Sequence, residues 1–181
     1  MLTDAARIIR AGGIVAYPTE FCYGLGCDPR RHDTIRRLLR IKRRSRDQGL
    51  ILIAARLSQV HNYIDLTATE ALARARRDWP GPVTWLLPAL PGITPWLRGC
   101  HQTLAIRITA HAGAAALCRY ARTALVSTSA NRHGRPPCRS AAAVRREMGN
   151  DLDYVLDGRL GGLARATEIR DAVTGAVVRT G

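Results

Sequence analysis

The chain reads as an α/β protein in which helices flank a sheet of mixed strand directions. Three observations predict this class. Short apolar runs of strand length alternate with segments of helical periodicity along the whole chain. Clusters of Gly, Pro, Ser, Thr and Asp punctuate them at short intervals. No stretch approaches the roughly 18 to 20 unbroken apolar residues that a membrane span needs, so the runs are expected to build a globular core.

Thr3 is placed to cap a first helix carrying Ala5, Ala6, Ile8 and Ile9, which stops at Gly12-Gly13. IVAY (14–17) reads as a buried strand ended by Pro18. TEFCYGLGCDP (19–29) reads as a loop of small and turn-forming residues. Asp33 opens a second helix, on which Ile35, Leu38, Leu39 and Lys42 fall on or near one face. LILIA (50–54) is a short strand.

Thr67-Ala68-Thr69-Glu70 has the capping-box form and starts a helix towards Trp79. Pro80-Gly81-Pro82 breaks it, and VTWLL (83–87) follows as a strand. LAIRI (104–108) alternates, with Arg107 opposite Leu104, Ile106 and Ile108. Ala112 to Arg122 is helical, ALVST (124–128) extended, and Ser140 caps the helix AAAVRREMG. YVLD (154–157) is a strand, and DAV-TG-AVV a hairpin turning at Thr174-Gly175. The Gly- and Arg-rich loops 132–139 and 158–166 each follow a strand, where open α/β sheets place ligands. At 181 residues the whole chain, 1–181, is expected to be one domain.

A formal charge of +14 favours polyanions, whether nucleotides or RNA, unless it is an arginine bias coating the surface. Five cysteines without a C-x-x-C pair argue against zinc and against a paired disulfide framework. They suggest reduced thiols in the cytoplasm. The N-terminus, with an early Asp4 and no apolar run, reads as a helix and not a signal peptide. No metal site is expected, because no two histidines stand four apart.

Among 28 lysines and arginines, Lys42 is the single lysine. A compact ammonium fits between phosphate oxygens in a way that a planar guanidinium does not; a solvated face is the competing account. Gly24 and Gly26 in YPTEFCYGLG would let backbone approach a ligand, with Thr19 and Glu20 offering polar groups, or would simply form a turn. STSAN (127–131) ends an apolar strand in hydroxyls and an amide, suited to phosphate or carboxylate, or to capping a turn. No G-x-S-x-G or G-x-x-x-x-G-K-[ST] occurs, which argues against a serine hydrolase and a P-loop. Arg107, in an apolar strand, needs an anion: a ligand carboxylate or a structural Asp or Glu. Arg170-Asp171 could pair with each other, and Arg179 could point at a phosphate.

In order, YPTEFCYGLGCDP, KRRSRDQGLILIA, WPGPVTWLLPA, LAIRITAH, VSTSANRHGRPP and TEIRDAVTGAVVRTG closely resemble the YrdC-like family in its short single-domain form, from about residue 5 to the C-terminus. The resemblance implies a twisted sheet around a positively charged cavity. It implies condensation of L-threonine, bicarbonate or CO2, and ATP with Mg2+ into threonylcarbamoyl-adenylate and pyrophosphate. Partner proteins would then pass the threonylcarbamoyl group to the tRNA adenosine beside the anticodon.

The family's K-x-R and S-x-N set falls on Lys42, Arg44, Ser129 and Asn131, as the catalytic and ATP-handling group. Thr103 and Arg179 match further ATP contacts. Arg107 matches the arginine that holds the threonine carboxylate, and Thr19, Ser127 and Thr167 match other threonine contacts. Phe21 stands where many members have threonine, and Ile53 where many have histidine. Gln48 replaces a frequent asparagine, and the usual N-L-S-G reads Asn131-Arg132-His133-Gly134. Two other readings follow: an RNA-binding module without catalysis, and a carbamoyl-adenylate module of the kind found inside much longer hydrogenase-maturation chains.

Overall fold

The computed structural model describes residues 1–132 and 134–181. Its elements, in chain order, are α1 (Leu2–Arg10), β1 (Val15–Pro18), β2 (Tyr23–Cys27), α2 (His32–Lys42), β3 (Ile51–Ala54), α3 (Thr69–Arg76), β4 (Thr84–Pro88), α4 (Pro95–Arg98), β5 (Thr103–Ile108), α5 (Ala112–Ala121), β6 (Leu125–Ser129), α6 (Ala141–Met148), β7 (Tyr154–Val155), β8 (Ile169–Asp171) and β9 (Val177–Arg179). The strands form one sheet in the order β7-β1-β2-β6-β3-β5-β4-β8-β9. Its directions are mixed: β1–β7, β3–β5 and β4–β8 run parallel and the other neighbours antiparallel. No helix of the described residues is long and apolar enough to cross a membrane.

Strand alternation sends successive side chains to opposite faces, and two clusters result. Leu25, Leu52, Trp85, Leu104, Ile106 and Val126 pack with α2, α3 and α6. Val15, Tyr17, Ile53 and Leu125 pack with α1 and α5 on the other face. Those two helices do not cover the whole of that face. The remainder, over β2, β6, β3, β5, β4 and β8, carries small and polar residues with the aliphatic Ile51, Leu86 and Ile169, and is open.

Several elements differ from the sequence expectation. The glycine-rich segment after Pro18 contains a strand, β2, fully buried and paired to β1 and β6. Its glycines are not turn formers. A Cβ on Gly26 would stand 2.7 Å from Tyr17 Cε1 and 2.9 Å from the Val126 carbonyl oxygen, so Gly26 makes room for the Tyr17 ring. Pro18 ends β1 as its last residue, paired to Tyr23, and it is tolerated there because β7 reaches only Val15 and Ala16 and asks no ladder bond of it.

Caps moved as well. The first helix starts at Leu2 on Met1, so Thr3 lies inside it. The second starts at His32, one residue before Asp33. The third starts at Thr69 on Ala68 and ends at Arg76, while Thr67 bonds Asp65 instead of capping. The fifth ends at Ala121, with Arg122 as its left-handed cap at φ 58°. Ser140 does cap the helix that follows it, accepting from Ala143 N. The last hairpin turns over 172–176, with Asp171 accepting the N–H groups of Val173 and Thr174. Arg170 therefore pairs with Glu168, not Asp171, and lies 5.8 Å from the Trp85 ring centroid. The five cysteines are free thiols, all but Cys100 buried.

Gly26→Ala is expected to lower unfolding stability by about 1–3 kcal/mol through overpacking against Tyr17 and a rigid carbonyl. Urea titration checks this, and an unchanged midpoint would show that the strands can separate freely.

Candidate active site

The open part of the sheet is the floor of a cavity of about 370 Å³, within the range of small-molecule sites. Gly24, Ser127, Ser129, Ile51, Ala105, Arg107, Leu86 and Ile169 face it from six strands. Phe21 and Cys22 close one side, and Arg179 another. The 46–49 turn and the end of α4 close a third, bringing Arg44, Gln48, Arg98 and His101 to the rim. That third wall depends on a close backbone approach. Leu50 N donates to Leu97 O at 2.7 Å, and a Cβ on Gly99 would meet Asp47 O at 2.3 Å.

Arg107 is 5 % exposed, and its guanidinium is held from three directions. Nη1 donates to Thr84 Oγ1 at 3.1 Å and to Thr167 Oγ1 at 2.9 Å. Nη2 donates to Glu20 Oε2 at 3.2 Å, while Thr109 Oγ1 donates to Glu20 Oε1 at 2.5 Å. The structural-carboxylate alternative for Arg107 is thus realised, by Glu20. Its Nε remains buried and without an acceptor. So does the Nε of Arg44, whose Nη2 donates to Gly49 O at 2.9 Å.

Arg179 reaches in to Thr167 O at 2.8 Å. Burial, then the charge of Arg179, holds Arg44 below the usual guanidinium value; burial, then Arg107, does the same to Arg179. Arg44, Arg98, Arg107 and Arg179 bring four guanidinium groups to one cavity whose lining includes no Asp or Glu. Glu20 compensates Arg107, while Arg44, Arg98 and Arg179 have no ion-pair partner among the described residues, so the site keeps spare donors and positive charge that suit a polyanion or a carboxylate.

Lys42 lies on the far side of the floor. Its Nζ donates to Ser129 O at 2.6 Å, to Asn131 O at 2.7 Å and to Asn131 Oδ1. All three of its N–H bonds are engaged, so it does not line the cavity. It pins the 129–131 segment, where Ser129 Oγ donates to Asn131 Oδ1 at 2.7 Å and Asn131 Nδ2 to Arg135 O at 2.6 Å. Burial, then the like charge of Arg44, brings the ammonium down to about 8. At about 8 the ammonium is still mostly charged at neutral pH.

Of the residues singled out in the sequence, Thr19, Arg44, Thr103, Arg107, Ser127, Ser129, Thr167 and Arg179 line this one cavity. Lys42 and Asn131 bond to its Ser129 edge from behind. Thr19 Oγ1 donates to Cys22 O at 2.7 Å, so its proton serves the turn. Arg98, His101 and the Tyr17 contact to Ser127 went unread. The pair Gly49 and Gly99 was the one available signal for the first two. Of the 132–139 loop, His133 lies outside the described residues.

The Sua5/YciO/YrdC family model, described as telomere recombination, matches residues 7–181. The chain belongs to the Sua5/YciO/YrdC family. It is 54% identical over 175 residues to a protein of Nitrosococcus oceani named threonylcarbamoyl-AMP synthase, covering 97% of this chain and 95% of that one. A protein of the same name from Methylococcus capsulatus is 51% identical, with 97% and 94% covered. The crystal structure of P. abyssi Sua5 complexed with L-threonine superposes with a TM-score of 0.86 at 30% identity. It covers 94% of this chain, which spans half of that longer one.

Against the commoner Sua5/YciO/YrdC pattern, Phe21 lines the cavity with the Arg139 guanidinium 5.0 Å from its ring centroid. Ile53 instead points into the α1 and α5 cluster, fully buried.

Two measurements follow. Glu20→Ala leaves the Arg107 charge buried and unpaired, and is expected to cost about 3–5 kcal/mol of stability; Glu20→Leu with Arg107→Leu should recover most of it. For Lys42, the folded value lies below the 10.5 of the unfolded chain, so the unfolded state binds more protons between about pH 8 and 10. Wild-type stability should therefore rise across that window relative to Lys42→Met, as read by denaturant midpoints at stepped pH. Parallel pH profiles would remove the burial argument.

Proposed function

We propose that this chain condenses L-threonine, bicarbonate or CO2, and ATP into threonylcarbamoyl-AMP and pyrophosphate. The observation that carries it is the pair of buried, acceptor-free Nε atoms of Arg44 and Arg107 in one cavity with Arg179 and four hydroxyl side chains, Ser127, Ser129, Thr103 and Thr167. Arg107 takes the threonine carboxylate. Arg44 and Arg179 offset the triphosphate, with Lys42 adding charge from behind Ser129.

The chemistry needs no protein nucleophile. The threonine amine adds to CO2 and loses a proton to give a carbamate. A carbamate oxygen then attacks the α-phosphorus in line, and the bond to pyrophosphate breaks. What the protein supplies is orientation and charge placement. Ser129, Asn131 and Thr103 orient the nucleotide, Ser129 and Asn131 being fixed by Lys42. Mg2+ enters as part of the MgATP substrate. The lining's oxygen donors are hydroxyl and carbonyl groups, so phosphate oxygens and water would complete its shell.

The product is a mixed anhydride, suited to handing its acyl group to an amine. In this reading the acceptor is the tRNA adenosine next to the anticodon, reached through separate transfer proteins in the cytoplasm. The charge of +14 supports direct contact with tRNA as well.

Purified protein is expected to release pyrophosphate only when threonine, bicarbonate and MgATP are all present; release that ignores threonine would overturn the reading. Arg107→Leu should raise the KM for threonine by about 30-fold or more, the effect of losing a buried charge pair worth roughly 2–5 kcal/mol, while the KM for ATP changes little.

A further inference from the structure

Ser127 has an unusual neighbour. Tyr17 is fully buried in the α1 and α5 cluster, and its hydroxyl lies 2.8 Å from Ser127 Oγ. Among the described residues that oxygen is its one hydrogen-bond partner. Two hydroxyls that close can bond in either sense. If Ser127 donated to Tyr17, the tyrosine proton would be buried in apolar surroundings without an acceptor, a costly arrangement. If Tyr17 donates, nothing is left unpaired, because Ser127 faces the cavity and its own proton turns into it.

Burial thus decides the sense of this bond. Gly26 holds the geometry, since a Cβ there would collide with the Tyr17 ring, and one on Gly24 would stand 3.5 Å from Tyr17 Cζ. Desolvation also raises the tyrosine pKa well above its ordinary value, so Tyr17 is a neutral donor at neutral pH.

The rest of that wall carries donors too. Glu20 and the hydroxyls of Thr84 and Thr167 occupy Nη1 and one hydrogen of Nη2 on Arg107. The Nε edge is left, where a carboxylate can dock side-on. We propose that Tyr17 is a positioning residue that fixes Ser127 as an obligatory hydrogen-bond donor into the cavity, so that this end of the pocket accepts the carboxylate of an amino acid and rejects its neutral amide. The assignment rests on the threonine reading given above, and it concerns a residue that touches no substrate.

A site whose donors cannot reverse discriminates sharply, because the wrong ligand leaves buried groups unpaired. In Tyr17→Phe the ring volume is kept, but the Ser127 oxygen regains the lone pair that Tyr17 engaged and its proton is free to turn out of the cavity. Calorimetric titration with L-threonine and with L-threoninamide is the test, together with steady-state KM values and thermal unfolding. The wild type is expected to favour threonine strongly. Tyr17→Phe should narrow that preference about tenfold, raising the KM for threonine while leaving the KM for ATP alone.

Ser127→Ala should narrow the preference similarly, and adding Tyr17→Phe to it should change nothing further. A Tyr17→Phe protein that loses affinity for both ligands equally, or that narrows the preference even without the Ser127 hydroxyl, would show a merely structural tyrosine and overturn the proposal. A wild-type protein that binds neither ligand and releases no threonine-dependent pyrophosphate would overturn the reading beneath it, and the assignment with it. Wild-type turnover combined with an unaltered preference in Tyr17→Phe overturns the assignment alone.

Discussion

A guanidinium sits near the middle of the sheet, and the arrangement around Arg107 follows from the cost of burying it. An isolated charge in that position would be destabilising by many kcal/mol. Glu20 supplies the countercharge, Thr109 satisfies the second carboxylate oxygen, and Thr84 and Thr167 take the remaining hydrogens on one side. These partners come from four different parts of the chain. Holding them together requires β5 beside β4, β4 beside β8, and the loop after β1 folded over the strand ends. The charge network and the sheet order are one constraint seen twice.

The same economy explains why there is a cavity at all. One sheet face is covered by α2, α3 and α6, and the other only in part by α1 and α5. On the uncovered part the strands present Gly24, Ala105, Ser127 and Ser129 beside Ile51, Leu86 and Ile169, where the opposite face is aliphatic and aromatic throughout its core. Small side chains on a floor, with arginines leaning in from the rim, leave space and charge together. Glu20 answers the charge of Arg107, but Arg44 and Arg179 have no carboxylate partner among the described residues, and an anion entering the cavity would relieve their mutual repulsion.

Lys42 illustrates how position refines a role. The lone lysine of the chain does meet Ser129 and Asn131, as the family set implies. It meets them through carbonyl and amide oxygens from beneath the floor, so its three donors shape the 129–131 loop. A guanidinium, planar and wider, has no arrangement that satisfies three converging oxygens on so short a reach. The reason for a lysine among arginines is therefore steric as well as electrostatic.

The amino-acid sequence alone determined the α/β class, the alternation of strands and helices, the face on which Arg107 stands, and, through six ordered motifs, the family. Those features are local: each depends on the spacing of side chains within a few residues. Tertiary structure decided that Gly24 and Gly26 belong to a strand, that Glu20 is the partner of an arginine 87 residues away, that Lys42 lies behind the cavity, and that Tyr17 reaches Ser127. Each depends on strand register across the sheet, where pairs far apart in the chain are set side by side, and no periodicity within one segment carries that information.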